Sequence, residues 1–171
     1  SCPHQLVMTA TPIPRTLAMT AYADWDCSMI RELPPGRTPV QTLLISDSRR
    51  HEVITRIEQA CRSGQQAYWV CTLIEESEGL QCEAAEATFL NLKRFLPGLR
   101  LGLIHGKLNS VEKEARMMAF KSGEMDLLVA TTVIEVGVDV PNATVLVIEN
   151  AERLGLAQLH QLRGRVGRGL L

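Results

Sequence analysis

The sequence lacks a long apolar run, a surplus of one charge and an amino-terminal leader pattern. No stretch approaches the roughly 20 apolar residues that a membrane-spanning helix needs. The first residues show no basic segment followed by an apolar one, as a signal peptide would. We therefore expect no membrane partner, and we expect the chain to be part of a longer protein. Lys and Arg number 18 against 19 Asp and Glu, so any contact with nucleic acid requires a local basic cluster.

The cysteines also lack the spacing of a metal site. None of the five forms a C-x-x-C pair or a Cys/His pattern suited to zinc. We expect reduced, mostly structural thiols, a cytosolic location and no metal site. The five residues are Cys2, Cys27, Cys61, Cys71 and Cys82.

A nucleotide-binding P-loop is missing as well. Gly102 and Gly106 with Lys107 come nearest to G-x-x-x-x-G-K-[ST], but the spacing is one residue short. Leu108 stands where Ser or Thr would bind magnesium, and no D-E-x-x acidic box is present. The groups that grip phosphates and Mg²⁺ in nucleotide hydrolases are thus absent, and we expect no ATP hydrolysis and no bound cofactor in the chain alone. We interpret the acidic run 75–78 as a solvated loop.

Apolar runs alternate with helical patterns after about residue 38, which predicts an α/β fold with a mainly parallel central sheet flanked by helices. With 46% hydrophobic residues in 171, one compact domain is expected. Gly64 and Gly123 should end the first and third helices, and Asn109 should cap the third together with Glu112. The predicted strands are 39–46, 67–74, 101–105, 127–131 and 144–149. The predicted helices are 49–62, 83–96, 110–121 and 156–166.

The part of the chain before residue 38 does not show this alternation of strands and helices. We predict a strand at 7–11, a helix at 14–22 and a stiff connector at 32–37, where proline and glycine cluster. These features divide the chain into a first segment at 1–33, a connector at 34–38 and an α/β domain at 39–171.

The run 161–168, Q-L-R-G-R-V-G-R, carries the strongest chemical pattern. Arg165 and Arg168 are three residues apart, so on a helical turn they project from one side. A planar guanidinium matches phosphate oxygens, and when it is supplied from outside a nucleotide pocket it stabilises charge developing on the γ-phosphate. The alternative interpretation is a solvated basic helix end.

A second group of candidates follows the predicted strands. Thr131 and Thr132 end one strand with hydroxyl groups, which can hold a phosphate without reading a base. Gly137 and Asp139 come next in a loop, where the carboxylate could accept a hydrogen bond from a ribose hydroxyl or serve simply as a turn residue. His105 ends another strand, and such a histidine is often only structural.

Five segments in order resemble the motifs of superfamily 2 helicases. Thr9-Ala10-Thr11 resembles motif III, the strand at 68–71 motif IV, and His105-Gly106-Lys107 motif IVa. The segments 130–139 and 161–168 resemble motifs V and VI. The stretch 8–20, the connector E-L-P-P-G-R and the run 69–77 are similar to the RecG family of branched-DNA translocases. The transcription-repair coupling factor shares two of the motifs and is the nearest rival.

The RecG resemblance implies that 39–171 is the second motor lobe of an ATP-dependent double-stranded DNA translocase, with a role in recombination and repair in the bacterial cytoplasm, at the nucleoid. It makes residues 1–33 a remnant of the first lobe. Because that remnant has lost its sheet neighbours, we expect it to be mobile or to pair with a second copy. In the parent protein, ATP and Mg²⁺ would be bound mainly by the first lobe. Arg165, Arg168 and Gln161 would then act across the cleft as catalytic residues, and Gly137 and Asp139 would contact the nucleotide. The partners implied are branched DNA, the first lobe and a wedge domain of the same polypeptide.

The resemblance also divides the remaining roles. His105, Gly106, Lys107, Thr131 and Thr132 would hold one DNA strand. The motif III residues would couple nucleotide state to movement, and these are Thr9, Ala10 and Thr11. Two other classes of protein remain as alternatives for a chain in which strands and helices alternate. One is a small binding module of the flavodoxin or Rossmann type, which should show a glycine-rich first turn. The other is a non-catalytic interaction domain, in which the arginines would have no role in ATP hydrolysis.

Overall fold

The computed structural model describes residues 40–72, 78–131 and 140–166. These ranges contain four strands and four α-helices, with short 3-10 helices at Asp47–Arg49 and Ala151–Arg153. The helices are α1 (Arg50–Arg62), α2 (Glu78–Phe95), α3 (Ser110–Lys121) and α4 (Leu156–Arg163). The strands are β1 (Gln66–Cys71), β2 (Leu101–Ile104), β3 (Leu127–Thr131) and β4 (Ala143–Glu149).

The four strands form one parallel sheet in the order β2-β3-β1-β4. In this register Cys71 lies level with both Thr131 and Glu149, and Ile104 lies level with Ala130. The carboxyl ends of all four strands therefore meet at one edge of the sheet. In open α/β sheets ligands bind outside that edge. The predicted α/β class with a parallel central sheet is confirmed.

Helices cover both faces of the sheet, because the strands are apolar on both sides. Every residue of β1 and of β3 is buried, as expected for parallel strands between two helical layers. On one face α1 and α2 pack, with Ile57 and Leu92 fully buried against Trp69. On the other face Phe120 of α3 packs against Tyr68, with ring centroids 5.0 Å apart.

The helix boundaries follow signals in the sequence. Asn109 caps α3: its side chain accepts a hydrogen bond from the Glu112 amide at 2.8 Å, and the Glu112 carboxylate accepts one from the Asn109 amide at 3.2 Å. Gly64 and Gly123 follow α1 and α3 with φ of +91° and +82°, a conformation that glycine adopts without steric cost. The predicted cap and both predicted stops are confirmed.

Three predicted elements need correction. Residues 40–46 form no strand: Leu43 and Leu44 are 66% and 98% exposed, and a β-prone segment becomes a strand only where a neighbour pairs with it. Helix α2 begins at Glu78, five residues before the predicted start at 83, so the last residue of the acidic run 75–78 is helical. The last helix ends at Arg163, three residues early, because glycine at 164 favours termination.

Candidate functional site

The turn between β2 and α3 lies at the carboxyl edge of the sheet, beside the end of β3. His105 directly follows β2, and Thr131 is the last residue of β3, so the strand register places them on neighbouring strands. Lys107 in this turn is exposed, whereas Thr131 is 3% exposed. Among the predicted DNA contacts, His105, Gly106, Lys107 and Thr131 thus share one edge. Their partner Thr132 lies outside the described residues.

Two cations of α3 brace this turn, and sequence analysis missed both. The Lys113 ammonium group donates to the Gly106 carbonyl at 3.2 Å, and the Arg116 guanidinium donates to the Leu103 carbonyl at 2.5 Å. The available signal was their spacing, because residues three apart in a helix project from one side. Their bonds fix the backbone on either side of His105 and leave Lys107 as the exposed cation of the turn.

His105 itself is held in the interior. It is 9% exposed, and its Nε2 lies 3.5 Å from Oε1 of Glu86 on α2. Within the described ranges its Nδ1 has no hydrogen-bond partner. This position favours a supporting role for the ring beneath the turn, while a direct contact of His105 with DNA stays a prediction.

The segment that carries Arg165 follows α4 as a tight turn. The Gly164 amide donates to the His160 carbonyl at 3.1 Å, and the Arg165 amide donates to the Leu162 carbonyl at 3.0 Å. Val166 is 2% exposed and belongs to the apolar cluster on the α3 face of the sheet. The backbone at Arg165 is therefore held on one side by the end of a helix and on the other side by a buried core residue.

The side chains around this turn are open to a ligand. Gln161 is exposed and Arg165 half-buried, and Arg165 forms no ion pair with any residue in the described ranges. A guanidinium that is partly exposed and has no ion-pair partner in the described ranges can bind the phosphate of a ligand. The predicted helical pairing of Arg165 with Arg168 remains a prediction, since Arg168 lies outside the described residues. The same holds for Gly137 and Asp139, and for the motif III residues Thr9, Ala10 and Thr11.

A charged cluster at the ends of β1 and β4 was also missed by sequence analysis. The Glu149 carboxylate accepts hydrogen bonds from the Arg50 guanidinium and, at 2.9 Å, from the Trp69 indole nitrogen. The Arg50 guanidinium carbon lies 4.9 Å from the centroid of the Trp69 ring. Both carboxylate oxygens are thus occupied, so the cluster joins the start of α1 to the end of β4. No sequence signal predicts it, because Arg50 and Glu149 are 99 residues apart.

The backbone after β4 is fixed by a second contact. The buried Thr72 hydroxyl donates to the carbonyls of Glu149 and Asn150, the latter at 2.7 Å. Asn150 has φ of +53°, in the left-handed region that asparagine tolerates better than most residues. This sharp turn redirects the chain from β4 towards α4 and so towards Arg165.

The described cysteines are structural. Cys61, Cys71 and Cys82 are free and buried, and burial raises the pKa of Cys61 and of Cys71 to about 11. Both thiols are therefore protonated at neutral pH and are poor nucleophiles or metal ligands. Within the described ranges, no three His, Cys, Asp or Glu side chains are grouped to hold a metal ion. No helix in those ranges has the length and apolar character required to cross a membrane.

The chain is similar to known helicases along nearly all of its length. The family of helicase conserved C-terminal domains matches residues 48–169. The ATP-dependent DNA helicase RecG of Escherichia coli K12 is 70% identical over 168 residues, which is 98% of this chain and 24% of that protein. RecG of Aquifex aeolicus is 54% identical over 97% of this chain and 21% of that protein. The chain thus spans about a quarter of the length of these curated relatives.

Solved structures give the same result. A structure of RecG bound to a three-way DNA junction superposes with a TM-score of 0.74 and 49% identity, over 94% of this chain and 21% of that one. Yeast Dbp5 bound to RNA and ADP BeF3 gives a TM-score of 0.52 at 19% identity, over 71% of this chain and 29% of that one. The second likeness shows the fold alone. The predicted resemblance to RecG is confirmed and is favoured over the alternatives.

Proposed function

This chain belongs to the family of helicase conserved C-terminal domains, and from that premise we propose that it is the second motor lobe of an ATP-dependent double-stranded DNA translocase. Its substrate is branched DNA, such as stalled forks and Holliday junctions, and its role is in recombination and repair. The observation that carries the proposal is the 70% identity to RecG over 98% of the chain, supported by a relative of known structure bound to a three-way DNA junction.

On the DNA side, the turn between β2 and α3 holds one strand by its phosphates. Lys107 is the exposed cation of that turn, and Gly106 keeps the backbone open for close approach. Thr131 and Thr132 contact the same strand from the end of β3. Contacts of this kind position a protein on DNA without reading its sequence, which suits a motor that moves along any duplex.

On the nucleotide side, Arg165 and Arg168 reach towards the γ-phosphate of ATP bound mainly to the first lobe, and Gln161 orients that site. Gly137 and Asp139 contact the nucleotide, with the Asp139 carboxylate near the ribose. Arg165 fits this role because it is partly exposed and lies in a turn fixed at both ends. ATP supplies a transferable phosphoryl group, and Mg²⁺ held by the first lobe neutralises its charge.

The remaining parts of the proposal concern the longer protein. Thr9, Ala10 and Thr11 couple nucleotide state to movement, within the first-lobe remnant 1–33. The connector 34–38 joins the lobes, and a wedge domain in the same polypeptide engages the DNA branch. We expect the chain alone to be inactive, with residues 1–33 either mobile or paired with a second copy, and we assign it to a cytoplasmic protein found with the bacterial nucleoid.

The proposal is tested in the longer protein by steady-state ATP hydrolysis with no DNA, with linear duplex and with a three-way junction. We expect hydrolysis to be stimulated by both DNAs and more strongly by the junction. The matched control is the 171-residue chain alone, which should hydrolyse no ATP above a protein-free blank. Equal hydrolysis in all three reactions would refute the DNA motor and would favour a protein whose ATP use is unrelated to DNA.

A further inference from the structure

The beginning of the described chain is tied to the end of α4. The Val40 carbonyl accepts a hydrogen bond from Nη2 of Arg163 at 3.0 Å, across 123 residues of sequence. Arg163 is the last residue of α4 and stands two positions before Arg165. Val40 stands two positions after the predicted connector 34–38. One side chain therefore links the exit of the connector to the turn that carries the candidate catalytic arginine.

Apolar packing strengthens the same link. Val40 packs against the cluster on the α3 face of the sheet, and Val166 is a buried member of that cluster. The backbone of Arg165 is thus flanked by Arg163, which bonds to Val40, and by Val166, which shares a core with Val40. A shift of the chain at Val40 acts on both neighbours of Arg165.

We propose that Arg163 is a positioning residue that couples the chain at Val40 to Arg165. This inference rests on the proposed function, because it assumes that Arg165 acts on a nucleotide held by another lobe. A shift of the chain at Val40 would then be transmitted through the Arg163 hydrogen bond to the arginine turn. Arg163 contacts neither ATP nor DNA, and its effect is on the geometry of Arg165.

The chemistry of the contact suits such a role. The acceptor is a backbone carbonyl. The bond therefore depends on the position of the backbone and does not depend on which side chain is attached there. A guanidinium forms charge-assisted hydrogen bonds, which are stronger than neutral ones, and its planar shape fixes direction. Lysine at position 163 would keep a charged donor and lose that direction, which makes it the conservative variant for a test.

The matched control is Arg62, because it is also an exposed arginine at a helix end, and its described bond stays within its own helix. Arg62 is also the last residue of its helix, and its guanidinium bonds to Glu58 of the same helix at 2.7 Å. Replacing Arg62 by alanine removes an arginine of the same kind without touching the connector. Any effect specific to Arg163 therefore reports the tie to Val40.

The first measurement uses the 171-residue chain and amide hydrogen exchange by NMR. In Arg163→Ala, exchange at the Gly164 and Arg165 amides should accelerate by about 10-fold, since a restraint on the turn is lost. Arg163→Lys should recover part of the protection, and Arg62→Ala should leave both amides unchanged. Unchanged exchange in Arg163→Ala would overturn the inference, because the turn would then be held without the tie.

The second measurement uses the longer protein and DNA-stimulated ATP hydrolysis. Arg163→Ala should lower kcat by about 10-fold with the KM for ATP within about two-fold, since misplacement of a catalytic group acts mainly on turnover. Arg163→Lys should restore part of kcat. A rise in KM alone would mean that Arg163 binds ATP directly, and near-normal kinetics would remove its role; either result overturns the inference.

Arg165→Ala in the same assay distinguishes a failure of the coupling through Arg163 from a failure of the role proposed for Arg165. If Arg165→Ala abolishes turnover while Arg163→Ala is normal, the coupling fails and the proposed function stands. If Arg165→Ala is itself near normal, the proposed role of the arginine turn fails. The coupling inference then falls with it.

Discussion

The two turns of the candidate site are held in place by different parts of the molecule. The turn between β2 and α3 is fixed locally, by the cap at Asn109 and by bonds from Lys113 and Arg116 that span 7 and 13 residues. The turn that carries Arg165 also has local backbone bonds, and it is tied in addition at long range, through Arg163 and Val40. The first turn is therefore held by its own neighbourhood, whereas the second turn can respond to a shift of the chain at Val40.

This difference matches the two tasks in the proposed motor. A phosphate grip on DNA works best when its groups are preorganised, because little order is then lost on binding. A catalytic arginine that must act only when the lobes close benefits from a link to the segment that joins them. Substitutions at each turn test this division between a DNA contact and a catalytic arginine, and the largest expected effect comes first.

The largest effect is expected at the arginine turn. In the longer protein, Arg165→Ala should lower the kcat of DNA-stimulated ATP hydrolysis by roughly 10³-fold, the range known for arginine fingers. Nucleotide affinity should change much less, because the guanidinium acts on the transition state. Steady-state kinetics with saturating DNA measures both quantities. A kcat within a few-fold of wild type would show that Arg165 is a solvated cation.

A smaller effect is expected at the DNA turn. In the longer protein, Lys107→Ala should weaken binding to a three-way junction by roughly 10-fold and reduce the salt slope by about 1, as for the loss of one phosphate contact. The control is Lys121→Ala, which removes an exposed lysine at the opposite end of α3. Fluorescence anisotropy over a salt series gives both values, and equal losses in the two variants would argue against a specific grip.

The cap of α3 tests whether the DNA turn is held locally. In the 171-residue chain, Asn109→Ala should lower the free energy of unfolding by about 1 kcal/mol, because the Glu112 amide loses its acceptor. Asn142→Ala is the control, since that side chain makes only an exposed bond of 3.4 Å. Urea unfolding followed by circular dichroism measures both variants. A loss at Asn142 as large as at Asn109 would contradict the assignment.

The smallest effect is expected far from both turns, at the amino ends of β2 and β3. Hydrogen bonds from the Arg100 side chain and amide lower the pKa of Asp126 below its ordinary value of 3.8. The folded-state pKa is the lower one, so this pair stabilises the fold at neutral pH. That stabilisation fades as the pH falls below the ordinary value and through the lowered pKa.

Removing the carboxylate should therefore remove this part of the pH dependence. Between neutral pH and about pH 3, wild type should lose more unfolding free energy than Asp126→Asn does. Asp47→Asn, at an exposed position of a 3-10 helix, should behave like wild type. Parallel curves for wild type and Asp126→Asn would show that the Arg100 pair has no linkage to folding.

Local features of the structure were predictable from the sequence. The alternating βα pattern, the stops at Gly64 and Gly123 and the cap by Asn109 and Glu112 each depend on residues a few positions apart. The grouping of the predicted DNA contacts also followed from sequence patterns and family resemblance, because the carboxyl ends of parallel strands meet at one edge of the sheet. These contacts are His105, Gly106, Lys107 and Thr131.

Long-range features were not predictable. Nothing in the local pattern reveals that Arg50 reaches Glu149 or that Arg163 reaches Val40, since each pair is about 100 residues apart or more. The strand predicted at 39–46 was wrong for the same reason: its residues have strand propensity, but propensity does not supply a pairing neighbour. The burial of His105 against Glu86 likewise depends on how α2 packs.

The central claim is that one lobe carries two separable sites, a DNA grip and a catalytic arginine. The most direct test measures junction affinity and kcat at saturating DNA for Lys107→Ala and Arg165→Ala in the same longer protein. We predict a crossed result: Lys107→Ala weakens junction binding and keeps kcat, whereas Arg165→Ala loses kcat and keeps junction binding. If both variants lose both properties to the same extent, the two turns do not act as separate sites and the account is contradicted.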